Sequence, residues 1–282
     1  MITDPRPSSP HPAPEAPHRF ALIIVGDEIL SGKRADKHMS RVIELLGARG
    51  LTLGRVEYVG DEPAFITDAL RRAFASGEVV FSTGGIGATP DDHTRQCAAA
   101  ALGVALALHP EAERLIRERM QDTAREQGVP YEPDRSDNIH RLNMGVFPEG
   151  ARIVPNPYNK IPGFSVGHVH FVPGFPVMAW PMMEWVLDHY YGHLFRQQAW
   201  REQSVIVFGS MEATLTPLME QLERDFPGLK VFSLPSVDHP EYGRHIELGV
   251  KGDPATVESA YPVMLAGLRG FGVKLGPEMV RP

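Results

Sequence analysis

The stretch FSTGGIGATPDDHT, residues 81–94, follows the apolar residues Val79 and Val80 and holds three glycines and two adjacent aspartates. The apolar run is typical of a buried strand, the glycines of an open turn, and the segment from about Asp92 of a helix start. Backbone amides in such a turn, next to a helix N-terminus, suit a bound anion. A tight turn capped by Asp92 would explain the same glycines without any ligand.

Segments typical of strands and helices alternate on both sides of this stretch. RFALIIVG is an apolar run from Phe20 without alternation, as in a strand buried on both faces, and ADKHMSRVIELLGARG has helical spacing. LTLGRVEYVG and EPAFITDALRRAFASG repeat the pattern, and a further helix is predicted from about Pro110 to Gln127. This alternation predicts an α/β fold with a parallel sheet built from right-handed crossovers.

The chain is predicted to contain two domains after an N-terminal tail. Residues 1–18 are rich in proline and serine, which is typical of a disordered tail. The α/β domain is predicted over residues 19–195, closing with a helix bent near Pro181. Residues 196–282 have the order β-α-β-β-α of a small α+β domain. This order resembles a KH module, but the GxxG loop with which such modules clamp nucleic acid is absent.

Composition excludes several classes of function. The 282 residues carry a formal net charge of −7, which disfavours nucleic acid and anionic membranes as partners. The single cysteine, Cys97, excludes an intrachain disulfide and a thiolate metal cluster. No apolar run is long enough to span a membrane, and the start lacks the pattern of a secretory signal. We therefore expect a cytoplasmic protein with a small-molecule ligand.

Acidic residues follow each of the first three predicted strands. In an open α/β sheet, ligands bind outside the carboxyl ends of the strands, so these residues are expected at one rim. Helix capping would explain any one of them, but carboxylates that converge repel each other unless they bind a cation or share a proton. The acidic pairs are Asp27 and Glu28, Asp61 and Glu62, and Asp91 and Asp92.

The glycine-rich loop matches neither of two familiar phosphate-binding motifs. It lacks the lysine and hydroxyl residue of a Walker loop, and Pro90 stands where a dinucleotide fingerprint needs glycine or alanine. Around this loop we predict a set of ligand-binding residues, among which Asn156 is equally well explained as a turn-forming residue. The set is Ser82, Thr83, Gly84, Gly85, Gly87, Thr94, Asn156, Pro173 and Gly174.

Four motifs occur together in a fixed order: GDEILSG, VGDEP, TGGIGATPDDHT and NPYNKIPGF…VPGFP. They resemble the molybdopterin-binding domain of molybdenum-cofactor biosynthesis proteins and, more closely, the N-terminal part of competence/damage-inducible protein A. The resemblance spans roughly residues 18–195 and continues into SLPS…RHIELGVKG, which is similar to the small middle domain of that protein. It implies a three-layer α/β fold with a ligand groove at the acidic rim.

The resemblance also implies an activity on a diphosphate-containing ligand. Aspartates that match Asp61 and Asp92 are tied to activity in molybdopterin adenylyltransferases, and relatives of competence/damage-inducible protein A hydrolyse ADP-ribose with a divalent metal. On this basis we predict a metal-dependent pyrophosphatase with Asp61 and Asp92 as catalytic residues. Asp27, Glu28 and Asp92 would then hold Mg²⁺ or another divalent cation. The alternative is a protein that binds a molybdopterin-type or nucleotide ligand without hydrolysis.

Two departures from the family limit what is carried over. The family often has DTN after the first loop, whereas this chain has DKH, residues 36–38. Full-length relatives continue into a nicotinamide-mononucleotide deamidase domain that the sequence does not include, so no amidase activity is inferred.

His168 and His170 share one face of a predicted strand. A structural role is favoured for these two histidines over a metal site. A homodimer formed through an edge strand of the small domain is expected.

Overall fold

The computed structural model describes residues 19–196 and 201–281. The predicted tail, residues 1–18, lies outside the described part of the chain. The chain divides into two compact units, Met1–Phe195 and Arg196–Pro282. Within the two described ranges, no helix combines the length and the apolar character that a membrane crossing requires.

The first unit is built on a six-stranded sheet. Among its described residues, the first unit has eight strands, of which six form this sheet. They are β1 Phe20–Val25, β2 Leu53–Val59, β3 Val79–Thr83, β4 Leu106–Leu108, β5 Val146–Pro148, β6 Arg152–Val154, β7 Gly163–Val166 and β8 Val169–Val172. The main sheet has the order β2-β1-β3-β8-β7-β6, in which β2, β1, β3 and β8 are parallel and β7 is antiparallel to both of its neighbours. Strands β4 and β5 form a separate antiparallel ribbon.

Helices cover both faces of this sheet. They are α1 Asp27–Leu30, α2 His38–Gly47, α3 Pro63–Ser76, α4 Thr94–Leu102, α5 Pro110–Glu126, α6 Ser136–Leu142 and α7 Pro176–Tyr190. Alternate residues of β1 enter two separate cores, because successive side chains of a strand point to opposite faces. Leu22 packs with α2 and α7, and Ile23 packs with α3 and α4. The predicted three-layer α/β fold is confirmed.

The second unit is a four-stranded antiparallel sheet with two helices. Its elements are β9 Arg201–Phe208, α8 Glu212–Asp225, β10 Lys230–His239, β11 Gly243–Gly252, α9 Pro254–Gly270 and β12 Lys274–Arg281. The strand order is β10-β11-β9-β12. The predicted order β-α-β-β-α is confirmed, and β12 extends it. The sequence did not indicate β12 because Gly276 and Pro277 interrupt the strand, where the register with β9 shifts.

Asp253 begins helix α9 and provides a test of local stability. Its Oδ1 accepts hydrogen bonds from the amides of Ala255 at 3.0 Å and Thr256 at 3.3 Å. Asp253→Ala leaves these amides without their side-chain acceptor, so we expect urea unfolding to show a loss of about 1 kcal/mol. Asp238→Ala, at an exposed position of β10, serves as the control. An equal loss in both variants would contradict the capping role.

Candidate functional site

The candidate site lies at the carboxyl edge of the parallel strands. The chain passes from β1 to β2 on one side and then to β3 on the other side of β1, so the strand order reverses between β1 and β3. Such a reversal leaves a crevice outside the sheet in which α/β proteins bind ligands. Four loops surround it here, and they follow β1, β2, β3 and β8.

Two glycines allow the loop after β3 to pass close to the end of β1. Gly84 has a φ of +94°, and a Cβ atom there would lie 2.3 Å from the carbonyl oxygen of Val25. Gly85 has a φ of +66°, and its Cβ would lie 2.2 Å from Oγ1 of Thr94. Both the dihedral angles and the contacts therefore require glycine.

The hydrogen bonds of this loop hold its inner side and leave its outer amides open. The Gly84 amide donates to the carbonyl of Val172 at 3.1 Å, and the Thr94 amide donates to the carbonyl of Gly85 at 3.0 Å. The amides of Gly85, Ile86 and Gly87 have no acceptor among the residues that the structure describes. The amides available to a ligand therefore start at Gly85. The Gly84 amide, which was predicted to bind ligand, instead bonds to β8.

A buried arginine, Arg95, supports the same loop from below. Its guanidinium Nη1 donates to the carbonyl of Ile86 at 3.2 Å, and only 4% of the residue is exposed. No carboxylate of the described residues forms an ion pair with it. Burial lowers the pKa of Arg95, and the charge of Asp92 opposes that shift. A buried cation without an ion pair is costly, which favours an anion nearby.

Arg95 was not among the predicted site residues. An arginine in the first turn of a helix is usually exposed. The available signal was its spacing, because Arg95, Ala98 and Ala99 lie at i, i+3 and i+4, and all three are buried on the inner face of α4.

The aspartates after β1 and β2 bind each other's backbone. The Asp27 amide donates to Oδ2 of Asp61 at 2.9 Å, and the Asp61 amide donates to Oδ1 of Asp27 at 3.1 Å. Partial burial raises the pKa of Asp61, and the hydrogen bond from the Asp27 amide lowers it. The nearby negative charges raise this pKa further; they are those of Asp27, Glu28 and Asp91. The acidic residues are therefore close enough to interact, but Asp27 and Asp61 first serve to join two loops.

The carboxylates predicted to bind a metal are not arranged around one point. Oδ2 of Asp92 accepts hydrogen bonds from the amide and hydroxyl of Thr89, at 2.8 and 2.5 Å. Oε1 of Glu28 lies 3.8 Å from Nη1 of Arg34. Across the described residues, no three or more histidine, cysteine, aspartate or glutamate side chains form a group that could hold an ion. Asp27, Glu28 and Asp92 thus do not fit a preformed cation site.

Several predicted ligand contacts are buried beneath the rim. Ser82 and Thr83 are the last residues of β3 and are 0% and 1% exposed, because both faces of the sheet are covered. Thr94 is equally buried, and its hydroxyl donates to the carbonyl of Gly84 at 3.1 Å. The structure thus places these three side chains under the glycine-rich loop, where they support it.

Asn156 forms the turn after β6. Its Nδ2 donates to Oδ1 of Asn159 at 2.8 Å and to the carbonyl of Ile161 at 2.9 Å, while its Oδ1 accepts from the Tyr158 amide at 3.0 Å. These bonds use the side chain's donors and one acceptor within the turn. The turn-forming interpretation therefore accounts for Asn156.

The loop after β8 completes the rim through Pro173 and Gly174. A Cβ atom on Gly174 would lie 3.5 Å from Cα of Gly84, so the two loops are in contact. The carbonyl of Gly174 accepts a hydrogen bond from Nε2 of His38 at 3.0 Å. His38, the residue that departs from the DTN pattern, is buried and ties α2 to this loop.

His168 and His170 belong to a buried polar network on β8. Nδ1 and Nε2 of His170 lie 2.7 Å from the hydroxyls of Ser165 and Tyr191, respectively. Nδ1 of His168 lies 3.1 Å from the same Tyr191 hydroxyl. Burial lowers the pKa of His170 to about 3, with a further contribution from the charge of Arg152. The structural role favoured for these histidines agrees with this network.

With this geometry established, comparison with known proteins identifies the family. Residues 21–193 match the family model described as a probable molybdopterin binding domain. The chain belongs to this family. The matched region covers the main sheet, the glycine-rich loop and the other loops of the rim, so the candidate site lies within the molybdopterin binding domain.

Relatives extend the likeness beyond the molybdopterin binding domain. A protein of Pyrobaculum arsenaticum is 32% identical over 225 residues, which cover 77% of this chain and 80% of that protein. A CinA-like protein of Geobacter metallireducens is 32% identical over 220 residues, covering 76% of this chain but 50% of the relative. This chain therefore spans about half the length of that CinA-like relative.

A solved structure supports the same assignment. The CinA protein of Thermoplasma acidophilum, described as having unknown function, is 26% identical and superposes with a TM-score of 0.51. The match covers 61% of this chain and 98% of that protein. The predicted resemblance to competence/damage-inducible protein A is confirmed for the family and the fold of the molybdopterin binding domain.

Proposed function

We propose that the first unit binds a phosphorylated pterin or nucleotide, with a phosphate at the amides of Gly85, Ile86 and Gly87. The observation that carries this proposal is the set of three open amides above the buried guanidinium of Arg95. The family match to a probable molybdopterin binding domain supports a pterin as the ligand class.

The backbone of the loop can approach a phosphate closely because Gly85 and Gly87 carry no side chains, although the carboxylate of Asp92 lies beside Gly87, with Oδ2 2.5 Å from where a Cβ would stand. Phosphate oxygens accept hydrogen bonds from backbone N–H groups that point into a common concavity. Helix α4 begins at Thr94, directly after the loop, so its positive N-terminal end adds to the attraction. These contacts bind phosphate without specifying the group attached to it.

Arg95 supplies the charge that the amides lack. Its guanidinium donates to the carbonyl of Ile86, and in a trans peptide this C=O points away from the open N–H of Gly87. The cation therefore lies on the far side of that peptide from the amide proposed to bind phosphate. A bound dianion would offset the cost of burying this charge. We infer that Arg95 acts through the loop, as a residue that attracts and positions the phosphate.

The second candidate function is hydrolysis of ADP-ribose or a similar diphosphate. The arrangement described above binds phosphate without requiring this activity. The observation in its favour is Asp61, whose raised pKa beside Asp27, Glu28 and Asp91 suits a group that exchanges a proton. Against it stands the poor fit of Asp27, Glu28 and Asp92 to a common cation. Binding is therefore the function that the geometry supports best.

Calorimetry with AMP, ADP-ribose and a phosphorylated pterin, each with EDTA or with Mg²⁺, tests the proposal. We expect binding in EDTA, and we expect Arg95→Met to weaken it about tenfold because a buried charge opposite phosphate is lost. Arg114→Met, at an exposed position of α5, is the matched control and should bind as the parent does.

The same samples separate binding from turnover. Adenosine, which has no phosphate, should not distinguish the parent from Arg95→Met. Binding of none of the phosphorylated ligands, or equal affinities for the parent and a folded Arg95→Met variant, would contradict the proposal. Release of AMP from ADP-ribose only with the metal, and its loss in Asp61→Asn, would instead support the hydrolase.

A further inference from the structure

We propose that two copies of this chain associate through strand β2, joining their main sheets edge to edge about a twofold axis at Val56. Strand β2 is the outermost strand of the six-stranded sheet and has seven residues, whereas the opposite edge strand, β6, has three. A long edge strand exposes backbone groups that pair readily with another strand.

The backbone of β2 is oriented for such a pair. The carbonyl of Val59 accepts the amide of Gly26 at 3.0 Å, so Val59 directs its backbone groups towards β1. Successive strand residues direct their backbone N–H and C=O groups to opposite sides of the strand. This alternation holds from Arg55 to Val59, where β2 is in regular register with β1. Val56 and Tyr58 therefore direct their N–H and C=O groups outwards, and Val56 can exchange two hydrogen bonds with its equivalent.

The charges of β2 are complementary to those of a second copy. Antiparallel pairing about Val56 places Arg55 opposite Glu57 of the partner subunit, and this happens twice because of the twofold axis. These are the closely spaced pairs of an antiparallel ladder, in which opposite charges stabilise pairing. An axis at Arg55 or at Glu57 would place two identical charges opposite each other. The charge pattern therefore selects one register.

Ion pairs within one copy hold the side chains of Arg55 and Glu57 on the same side of β2. Nη1 of Arg55 lies 2.9 Å from Oε2 of Glu57, and its Nη2 lies 3.0 Å from Oε2 of Glu78. Arg72 of α3 also contacts Glu57. The ion pairs lie on the α3 side of the strand, so a second copy would extend an existing row of alternating charges.

The opposite side of β2 is apolar and exposed. Met39, Ile43 and Tyr58 are 38%, 51% and 39% exposed, and a groove of about 480 Å³ runs between α2 and β2. Pairing about Val56 brings Tyr58 opposite Gly54 of the partner subunit. A Cβ on Gly54 would lie no closer than 3.5 Å to the fold's own atoms, so packing within one copy does not require glycine there. Its missing side chain leaves room for the tyrosine ring.

Sedimentation equilibrium of the full chain, with charge-reversal variants, tests this interface. We expect a monomer–dimer equilibrium in the parent and a dissociation constant raised about tenfold or more by Arg55→Glu or by Glu57→Arg. The double variant Arg55→Glu/Glu57→Arg restores opposite pairs across the axis but reverses the contacts with Glu78 and Arg72 within each copy, so we expect it to bind at least about threefold more tightly than either single variant.

A second pair of variants examines the backbone contact. Val56→Pro removes an amide that faces outwards and should abolish the dimer, while Val56→Thr keeps the amide and the branched shape and should retain it. Circular dichroism melting identifies any variant that fails to fold. A parent that stays monomeric at all attainable concentrations would overturn the proposal. So would a dimer unchanged in folded Val56→Pro and in both charge reversals.

Discussion

Gly84→Ala is expected to lower the free energy of unfolding of the first unit by about 3–5 kcal/mol, because it combines backbone strain with a steric clash. The residue has a φ of +94°, and a Cβ would lie 2.3 Å from the carbonyl oxygen of Val25. That oxygen belongs to the backbone at the end of β1, so it cannot rotate away. Either β1 or the glycine-rich loop must shift, and phosphate binding at the loop should be lost with the stability.

Gly103→Ala separates the two contributions. Gly103 follows helix α4 with a φ of +70°, and a Cβ there would meet no atom within 4 Å. We expect a loss of about 1 kcal/mol from strain alone, measured by urea unfolding, with ligand affinity unchanged. Similar losses in the two variants would mean that the close approach of Gly84 to β1 contributes nothing.

Acidification is expected to destabilise the first unit through His170. The pKa of this buried histidine falls from its ordinary value of 6.5 to about 3 in the folded protein. Between these values the unfolded chain binds a proton that the folded chain does not bind. The free energy of unfolding therefore decreases as the pH falls, and the histidine accounts for a loss of about 2–3 kcal/mol between pH 6.5 and pH 4.5.

His170→Gln tests this contribution, since glutamine can form hydrogen bonds but does not titrate. The variant should be less stable than the parent at pH 7, because its bonds to Ser165 and Tyr191 are less well formed. The free energy of unfolding of the variant should fall less steeply on acidification than that of the parent. The difference in stability between the two proteins should therefore become smaller at low pH. His140→Gln, at an exposed position of α6, is the control and should follow the parent. Parallel pH profiles for His170→Gln and the parent would contradict this account.

The fold could be predicted because its signals are local. The unbroken apolar run of β1 and the helical spacing of α2 each follow from a few neighbouring residues, and the repeated alternation indicated a parallel sheet. The glycines of the loop could likewise be recognised in the sequence. Strand β12 was missed because Pro277 and Gly276 remove the alternation that marks a strand.

The site was predictable in position but less so in its contacts. The reciprocal bonds of Asp27 and Asp61 join loops that are 34 residues apart, and nothing in either loop indicates the partner. Ser82 and Thr83 were expected to contact ligand because they are polar and precede the loop. The sheet, however, is covered on both faces up to its edge, and they are buried. Burial of this kind depends on the packing of distant helices and is not visible in a local pattern.

The position of β8 between β3 and β7 has a consequence for how the first unit folds. Its hairpin with β7 closes over the short turn at Gly167, whereas its parallel pairing joins Val80 to Val169, far along the chain. Contacts between distant residues form slowly, because the loop between them loses entropy before the contact gains energy. We therefore expect the β7–β8 hairpin to form early and the pairing of β8 with β3 to form late. On this order, the crevice beside the glycine-rich loop is completed only when β8 docks on β3 and brings Gly174 beside Gly84.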